Sequence, residues 1–248
     1  MPGEHARLSP SAADRWFACP GAPDAEQGLP DTPSPAADEG TTAHALLETA
    51  LGARQAPSDC TDIPGVNPEM IQHVTAAWRL VAGMQAGCDR LAIEMKVDPG
   101  KVFKRDDLWG TSDIVIEHGN HLTVLDFKYG RWPVDPVNSK QLQIYAVGAA
   151  AQSLQRIESF TLGIIQPRTA GPPLKLWQVD RVGMAGFAKQ LSQAAEATDD
   201  PAAQRVTGDH CKFCKARSIC PEHKKRNKQG TQFSPLRGGK VPTADPIA

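Results

Sequence analysis

Two aspartates, a lysine, a glutamine and a tyrosine occur at spacings that could bring them into one site. They lie in Trp109–Tyr145, which reads WGTSDIVIEHGNHLTVLDFKYGRWPVDPVNSKQLQIY. Apolar residues alternate on both sides of Gly119-Asn120, and this pattern predicts a β-hairpin with a two-residue turn. In that register the numbers of cross-strand partners sum to 239. Asp113 is then opposite Asp126, and Lys128 shares the face of Asp126 because strand side chains alternate with period two.

This predicted carboxylate pair points to a bound cation. Like charges that face each other across a sheet are destabilising unless something compensates them. A divalent cation would do so, with Lys128 as a further positive charge, and carboxylate oxygens suit Mg²⁺ or Mn²⁺ better than zinc or copper. Such an ion can activate water and stabilise charge on a phosphate oxygen. The alternative is an incidental pair in which both side chains reach solvent at the strand ends.

The order of motifs in this segment resembles that of a nuclease superfamily. Gly110-x-x-Asp113, then Asp126-x-Lys128, then Gln141-x-x-x-Tyr145 resembles the PD-(D/E)XK nucleases, specifically their RecB-like exonuclease branch. The resemblance implies that the two aspartates and the Phe127 carbonyl bind the metal, and that Lys128 positions and activates the attacking water. It also implies that Gln141 and Tyr145 orient Lys128 or the DNA backbone. Asp126 stands where the superfamily more often has Glu.

Two upstream residues extend this candidate site. His44 lies in a predicted helix, Glu39–Arg54, and ends the sequence Gly40-x-x-x-His44, which resembles the metal-binding histidine motif of RecB-like nucleases. Glu94 lies in the middle of a predicted strand, Leu91–Val97, where an unpartnered carboxylate is costly to bury. The resemblance implies that it is an additional metal ligand or base. Pairing with Lys96 or exposure to solvent is the alternative.

Four of the six cysteines form a pattern typical of a metal site. Cys19 lies near the start, and Cys211-x-x-Cys214-x5-Cys220 lies near the end. This spacing favours a metal over disulfides, and four thiolates accept either zinc or an iron–sulfur cluster. The arrangement resembles iron–sulfur RecB-like nucleases of the AddB and CRISPR-adaptation types, which implies a [4Fe–4S] cluster that joins the two ends. Zn²⁺, with His210 or His223 as a substitute ligand, is the alternative.

The charge is unevenly distributed along the chain. The formal net charge is −1, yet residues 205–240 contain ten Lys/Arg against Asp209 and Glu222. A basic segment on an acidic body suits a polyanionic partner. Within it, Lys212, Lys215 and Arg217 surround the cluster cysteines, and we expect them to contact DNA phosphates, with Phe213 placed to stack on an unpaired base. Residues 224–248 alone could equally be a solvated, flexible tail.

The elements that must position these residues alternate between strands and helices. Apolar periodicity predicts further strands at Val102–Asp106, Ser159–Gln166 and Leu174–Val179, and helices at Pro68–Met84, Ser139–Gln152 and Val182–Thr198. This order predicts an α/β fold with a central mixed β-sheet flanked by helices. The resemblance implies a restriction-endonuclease-like version of it. We divide the chain into an N-terminal helix and loop (1–38), a core (39–200), the three-cysteine segment (201–223) and a basic tail (224–248).

Together these patterns predict a metal-dependent DNA exonuclease with Mg²⁺ or Mn²⁺ and a [4Fe–4S] cluster. The resemblance implies linear, including single-stranded, DNA ends as substrate, a stand-alone phage or prophage setting, and a phage recombination or single-strand-binding protein as partner. No apolar run reaches membrane-spanning length and no signal sequence is evident, so we expect a cytoplasmic protein of a bacterial or phage-infected cell. A non-catalytic DNA-binding or assembly factor that retains the fold is the alternative.

Overall fold

A five-stranded mixed sheet forms the centre of the protein, as the sequence predicts. The structure is a computed structural model that describes residues 6–30 and 34–232. The strands lie side by side in chain order, and every neighbouring pair is antiparallel except β3 and β4, which are parallel. The α/β class with a central mixed sheet is therefore confirmed. The strands are β1 (Arg90–Val97), β2 (Gly110–His118), β3 (His121–Phe127), β4 (Ser159–Ile165) and β5 (Leu174–Asp180).

The hairpin of β2 and β3 has the predicted register. His118 pairs with His121 and Val115 with Val124, so partner numbers sum to 239. Gly119, the first residue of the turn, has φ of 55°. A two-residue turn of the II′ type needs this left-handed conformation at its first central position, which glycine adopts without strain.

The described residues contain seven helices, five of which pack on the two faces of the sheet. Side-chain oxygens of Ser34, Asn67, Ser139 and Asp180 accept backbone N–H groups at the starts of the four longest, and so satisfy donors that the helices cannot. The helices are α1 (Ala13–Ala18), α2 (Ala22–Glu26), α3 (Pro35–Ala53), α4 (Pro68–Met84), α5 (Lys140–Gln152), α6 (Arg181–Ala197) and α7 (Pro221–Gln232).

The core consists of two apolar layers, one on each side of the sheet. On the side that we call the α5 face, α1, α5 and α6 pack on the sheet through residues such as Trp16, Leu142 and Leu191. On the opposite α3 face, α3 and α4 pack through residues such as Leu46 and Val74. The connection from β3 to its parallel neighbour β4 contains α5, as a parallel pair requires a crossover.

Three segments differ from their predicted structure. Residues 20–38, predicted as a loop, contain α2 and the start of α3, with Ser34 as its N-cap. The predicted strand Val102–Asp106 is wrong: a 3-10 turn, Pro99–Phe103, occupies this region because the Asp98 side chain accepts the Lys101 N–H and closes the backbone. The expected flexible tail at 224–248 begins inside α7, and residues 233–248 lie outside the described part.

No helix in the described part of the chain is both long and apolar enough to cross a bilayer. This agrees with the absence of a long apolar run in the sequence.

The first residue of β2 is a point of close approach, and it yields a stability prediction. A Cβ at Gly110 would lie 2.9 Å from Pro10 Cδ and 3.1 Å from Tyr145 Cε1. We expect Gly110→Ala to lower the free energy of unfolding by about 1–3 kcal/mol through overpacking. Gly186→Ala is the matched control, because nothing lies within 4 Å of its Cβ position inside α6. It should raise stability by about 0.5–1 kcal/mol.

Chemical denaturation of the two variants and the parent protein measures both effects. Equal stability of Gly110→Ala and the parent would show that the N-terminal segment does not press on β2 and α5 as the structure indicates.

Candidate functional site

The candidate site lies where the ladder between β2 and β3 ends. The last backbone-paired residues are Ile114 and Leu125, so Asp113 and Asp126 lie just beyond them. Here the strands are joined by a side chain instead of the backbone: Phe127 N–H donates to Asp113 Oδ2 at 2.7 Å. The opening gives side chains from both faces of the sheet access to the same place.

β1 brings Glu94 to this opening through a strained backbone. Glu94 has φ of 47°, a left-handed conformation that is rare for a residue other than glycine. The register is the same on both sides, with Ile93 opposite Ile114 and Met95 opposite Ser112, so no residue is inserted. The strand nevertheless exchanges its faces here, because Ile93 packs on the α3 face while Met95 packs on the α5 face. Strain of this kind costs about 1–3 kcal/mol and is typical of functional sites.

α3 supplies His44 from the other side. Its Nδ1 lies 3.7 Å from Asp113 Oδ2, and its ring packs edge-on against Phe127 with centroids 5.1 Å apart. Burial lowers the pKa of His44, although the neighbouring Asp126 acts in the opposite direction. A neutral imidazole of this kind is the form that ligates metals.

His44, Glu94 and Asp113 could together hold a metal ion. One potential ligand atom of each lies within 4.8 Å of those of the other two. Burial, and then the charge of Asp126, raises the pKa of Asp113 to about 7. Burial, and then the charge of Asp113, raises the pKa of Glu94 to about 7. A divalent cation bound between these two half-buried carboxylates would relieve their repulsion.

Asp126 supports the same interpretation. It is 2% exposed, and its Oδ2 has no hydrogen-bond partner although Lys128 Nζ lies 2.9 Å away. The ammonium is close enough to attract this oxygen but is not aligned to donate to it, since its hydrogen bond goes to Oδ1 at 3.0 Å. A buried oxygen without a donor is costly unless it has another partner, and a bound cation would be one.

α5 supplies the residues that fix Lys128 and Asp126. Gln141 Nε2 donates to Asp126 Oδ1 at 2.9 Å, and Lys128 Nζ lies 3.4 Å from Gln141 Oε1. Gln141 Nε2 also donates to Tyr145 Oη at 3.3 Å, so these two residues share a face of the helix as predicted. Burial lowers the pKa of Lys128, but Asp126 and Asp113 more than offset it, and the net pKa is raised. Lys128 is therefore a cation held in place by two partners.

The four patterned cysteines also come together. Cys19, Cys211, Cys214 and Cys220 line one cavity of about 20 Å³, together with His210 and His223. All four are free thiols. Val206 N–H donates to Cys19 Sγ at 3.2 Å and Gly208 N–H to Cys211 Sγ at 3.4 Å. Backbone donors of this kind stabilise thiolates that bind metal clusters.

The sulfur atoms of the described residues do not form a preassembled tetrahedral zinc site. Tetrahedral zinc with bonds of about 2.3 Å places its sulfur ligands about 3.8 Å apart. Among the described residues, no three of these sulfurs lie within 4.8 Å of one another. His210 already has a partner in this cavity, because its Nε2 is hydrogen-bonded to Val206 O at 2.9 Å. Burial, and then Glu26, raises the pKa of Cys214 to about 11, so a bound metal would have to displace its proton.

The residues expected to contact DNA lie on the surface of the cysteine segment. Lys212, Lys215 and Arg217 are exposed, and Phe213 is 79% exposed. The segment is anchored to the N-terminal helices: Arg15 Nη1 donates to Phe213 O at 3.1 Å and Lys215 N–H to Glu26 Oε1 at 2.7 Å. These residues are remote in sequence from Lys128, and their contact with DNA stays a prediction.

Comparison with known proteins gives a family and several structurally similar chains. The model of the family described as "Protein of unknown function (DUF2800)" matches residues 5–241. A solved structure titled "Crystal structure of SSO0001" is similar with 15% sequence identity and a TM-score of 0.37. The similarity covers 85% of this chain and 95% of that chain.

The carboxylate repulsion gives a prediction for Asp113→Asn. A carboxyl with a pKa of about 7 is ionised at pH 8 and largely protonated at pH 5. Ionisation is less favourable in the folded state, so its contribution to stability falls as pH rises from about 4 to 7. In protein treated with chelator, Asp113→Asn should therefore raise the free energy of unfolding by about 1–2 kcal/mol at pH 8 and much less at pH 5.

Thermal unfolding with and without Mn²⁺ tests the same variant as a ligand. Mn²⁺ should stabilise the parent and the exposed-site control Asp62→Asn, but not Asp113→Asn. An equal Mn²⁺ shift in all three proteins would exclude Asp113 from the metal site.

Proposed function

We propose that this chain, which belongs to the DUF2800 family of proteins of unknown function, is a metal-dependent deoxyribonuclease. The observation that carries the proposal is the convergence of an imidazole, three carboxylates, a lysine and a glutamine at the end of the β2–β3 ladder. They come from five different elements and the loop after β3, and from both faces of the sheet. The residues are His44, Glu94, Asp113, Asp126, Lys128 and Gln141.

The electrostatics of the site support catalysis over a purely structural role. Carboxylates whose pKa is raised by burial and by a neighbouring carboxylate, as those of Glu94 and Asp113 are, destabilise a fold unless a positive ligand compensates them. Glu94 adds a strained backbone at the same point. A protein that used this fold for DNA binding alone would be more stable without either feature.

The donor set fits a hard divalent cation. His44, Glu94 and Asp113 would hold it, and Oδ2 of Asp126, which accepts no hydrogen bond, would be a further ligand. Mg²⁺ or Mn²⁺ bound there supplies positive charge that stabilises a phosphate in the transition state and makes water a better nucleophile. We propose that the Phe127 carbonyl is another metal ligand. The Phe127 N–H has a different role, because it donates a hydrogen bond to Asp113.

The remaining residues position groups around the scissile phosphate. Lys128 keeps its charge and can donate a hydrogen bond to a water or a phosphate oxygen from a fixed position. Gln141 fixes this position because it bonds Asp126 and Lys128 at the same time. Tyr145 supports Gln141 through its hydroxyl oxygen, and burial raises the pKa of this phenol, so it stays neutral.

The resemblance to RecB-like PD-(D/E)XK nucleases supplies the substrate and the reaction. It adds DNA ends, exonucleolytic cleavage and a phage-type role in recombination or repair to what the site chemistry supports. The motifs that carry it, Asp113, Asp126-x-Lys128 and Gln141-x-x-x-Tyr145, are the residues whose side chains meet in the structure.

The four-cysteine cavity is proposed to hold a [4Fe–4S] cluster. Two of the thiols accept backbone N–H groups, and the cysteine pattern resembles that of the iron–sulfur RecB-like nucleases. The cluster would join the end of α1 to the segment before α7. α1 follows the turn that contains Pro10, and Pro10 packs where β2 begins, so the cluster would also support the wall of the active site.

Replacement of Lys128 tests the catalytic assignment. Lys128→Ala should lower the rate of Mn²⁺-dependent degradation of linear DNA roughly 100- to 1,000-fold, the effect of removing one positioned donor. DNA binding, measured by fluorescence anisotropy, should persist. Lys101→Ala is the matched control, because Lys101 is 81% exposed and pairs only locally with Asp98.

Two outcomes would contradict the proposal in different ways. Full cleavage by Lys128→Ala would refute the role of this lysine. DNA binding by the parent protein without any Mn²⁺-dependent cleavage would favour the non-catalytic DNA-binding factor instead.

The cluster has its own test, independent of activity. Anaerobically purified protein should be brown and contain about four irons per chain. Cys214→Ser should lose iron and colour, whereas Cys88→Ser should retain both because Cys88 lies outside the four-cysteine cavity. A colourless protein with one zinc and no iron would overturn the cluster assignment and leave the nuclease proposal to the carboxylate site.

A further inference from the structure

We propose that Trp132 stacks on an unpaired base of the DNA strand that enters the active site, which makes single-stranded ends the preferred substrate. This inference rests on the proposed nuclease function and specifies its substrate class. It assigns a role to a residue that no sequence motif identifies.

Trp132 is exposed on the loop that begins at Lys128. It is 88% exposed, although tryptophan is a large apolar side chain that folding normally covers. It lies on the site loop, residues 128–139, which begins with Lys128 and ends at the N-cap of α5, the helix that carries Gln141. Trp132 follows Lys128 by four residues. Their Cα atoms can therefore be no more than about 14 Å apart.

The site loop is held in place, so the exposure of Trp132 is a defined feature of the fold. Gln166, which is 2% exposed, donates to Gly130 O at 2.9 Å and to Trp132 O at 2.7 Å. Its Oε1 accepts Val134 N–H at 2.9 Å. Pro133 further restricts Trp132 to extended conformations. One buried amide thus fixes the backbone on both sides of the indole.

The surroundings of Trp132 suit a nucleic acid strand. Arg131 precedes it, with a side chain that is 70% exposed and a guanidinium 3.3 Å from the Glu69 carboxylate. An exposed pair of this kind is weak, so a phosphate can compete for the arginine. An aromatic face beside a cation is the combination with which proteins bind single strands.

The geometry favours an unpaired base over a duplex. The faces of bases in a duplex are already stacked on their neighbours, whereas an unpaired base has a free face that an indole can cover. Stacking of this kind tolerates any base, as a nuclease that degrades arbitrary sequence requires. One projecting ring also differs from the broad apolar patches that bind proteins.

The test measures binding in the Lys128→Ala background, so that the substrate remains intact. Fluorescein-labelled oligothymidine and a blunt duplex of the same length are titrated at one fixed salt concentration, since salt alone shifts such affinities. Trp132→Ala and Trp132→Phe are compared with Leu154→Ala. Leu154 is the matched control because it is an equally exposed apolar residue at the far end of α5.

We expect Trp132→Ala to weaken binding of oligothymidine roughly 5- to 100-fold, the effect of losing one stacked base. Trp132→Phe should recover most of this affinity. Binding of the blunt duplex should change less than 2-fold, and Leu154→Ala should change neither affinity.

Three results would overturn the inference. The first is an unchanged affinity for oligothymidine in Trp132→Ala. The second is an equal loss for both DNAs. The third is a dimer of the parent protein that Trp132→Ala converts to a monomer in sedimentation velocity, which would make the indole a contact between copies.

The proposed function fails separately. If the parent protein neither binds nor cleaves linear DNA, both proposals fall. If it cleaves DNA and Trp132→Ala binds oligothymidine as well as its parent does, only the role of Trp132 is lost.

Discussion

The arrangement of the site depends on the repulsion among carboxylates held at the end of the β2–β3 ladder. Asp113, Asp126 and Glu94 lie where the pairing between β2 and β3 has stopped. Burial, together with the charge of a neighbouring aspartate, raises the pKa of Asp113 and of Glu94 to about 7. Each neighbouring feature limits this repulsion. The Phe127 N–H donates to Asp113, the Lys128 ammonium neutralises Asp126, and Gln141 bonds both members of that second pair. The negative charge around the space among Glu94, Asp113 and the neutral imidazole of His44 remains uncompensated.

The two faces of the sheet have different parts in this arrangement. The α3 face contributes His44, which packs on Phe127, and the α5 face contributes Gln141 and Tyr145. They can meet because β2 and β3 separate at this point, and because β1 exchanges its faces at Glu94. A regular strand would leave Met95 and Val97 on the α3 face. The strained φ of Glu94 therefore serves the core and the site at once.

The sequence predicted those features that local patterns determine. Gly119-Asn120 specified the register of the hairpin, and with it the neighbourhood of Asp113, Asp126 and Lys128. No local pattern predicted the left-handed backbone conformation of Glu94, because this conformation results from the packing of β1 on two helical layers. Gln166 was likewise missed, because a glutamine at the end of a strand does not indicate which loop it will clamp. The short helix α2 escaped prediction because its alanine- and proline-rich sequence lacks apolar periodicity.

The cysteine segment and the carboxylate site are mechanically connected through the N-terminal segment. Cys19 follows α1 directly, and Lys140 at the start of α5 donates to Asp14 in α1 at 2.7 Å. Pro10 meets the position of a Gly110 side chain, and Tyr145 lies on the other side of it. The positions of Tyr145 and Gln141 therefore depend on the N-terminal segment from Pro10 to Cys19. If these cysteines hold the proposed cluster, its loss would free α1 at one end and, through these contacts, loosen the residue that aligns Lys128 with Asp126.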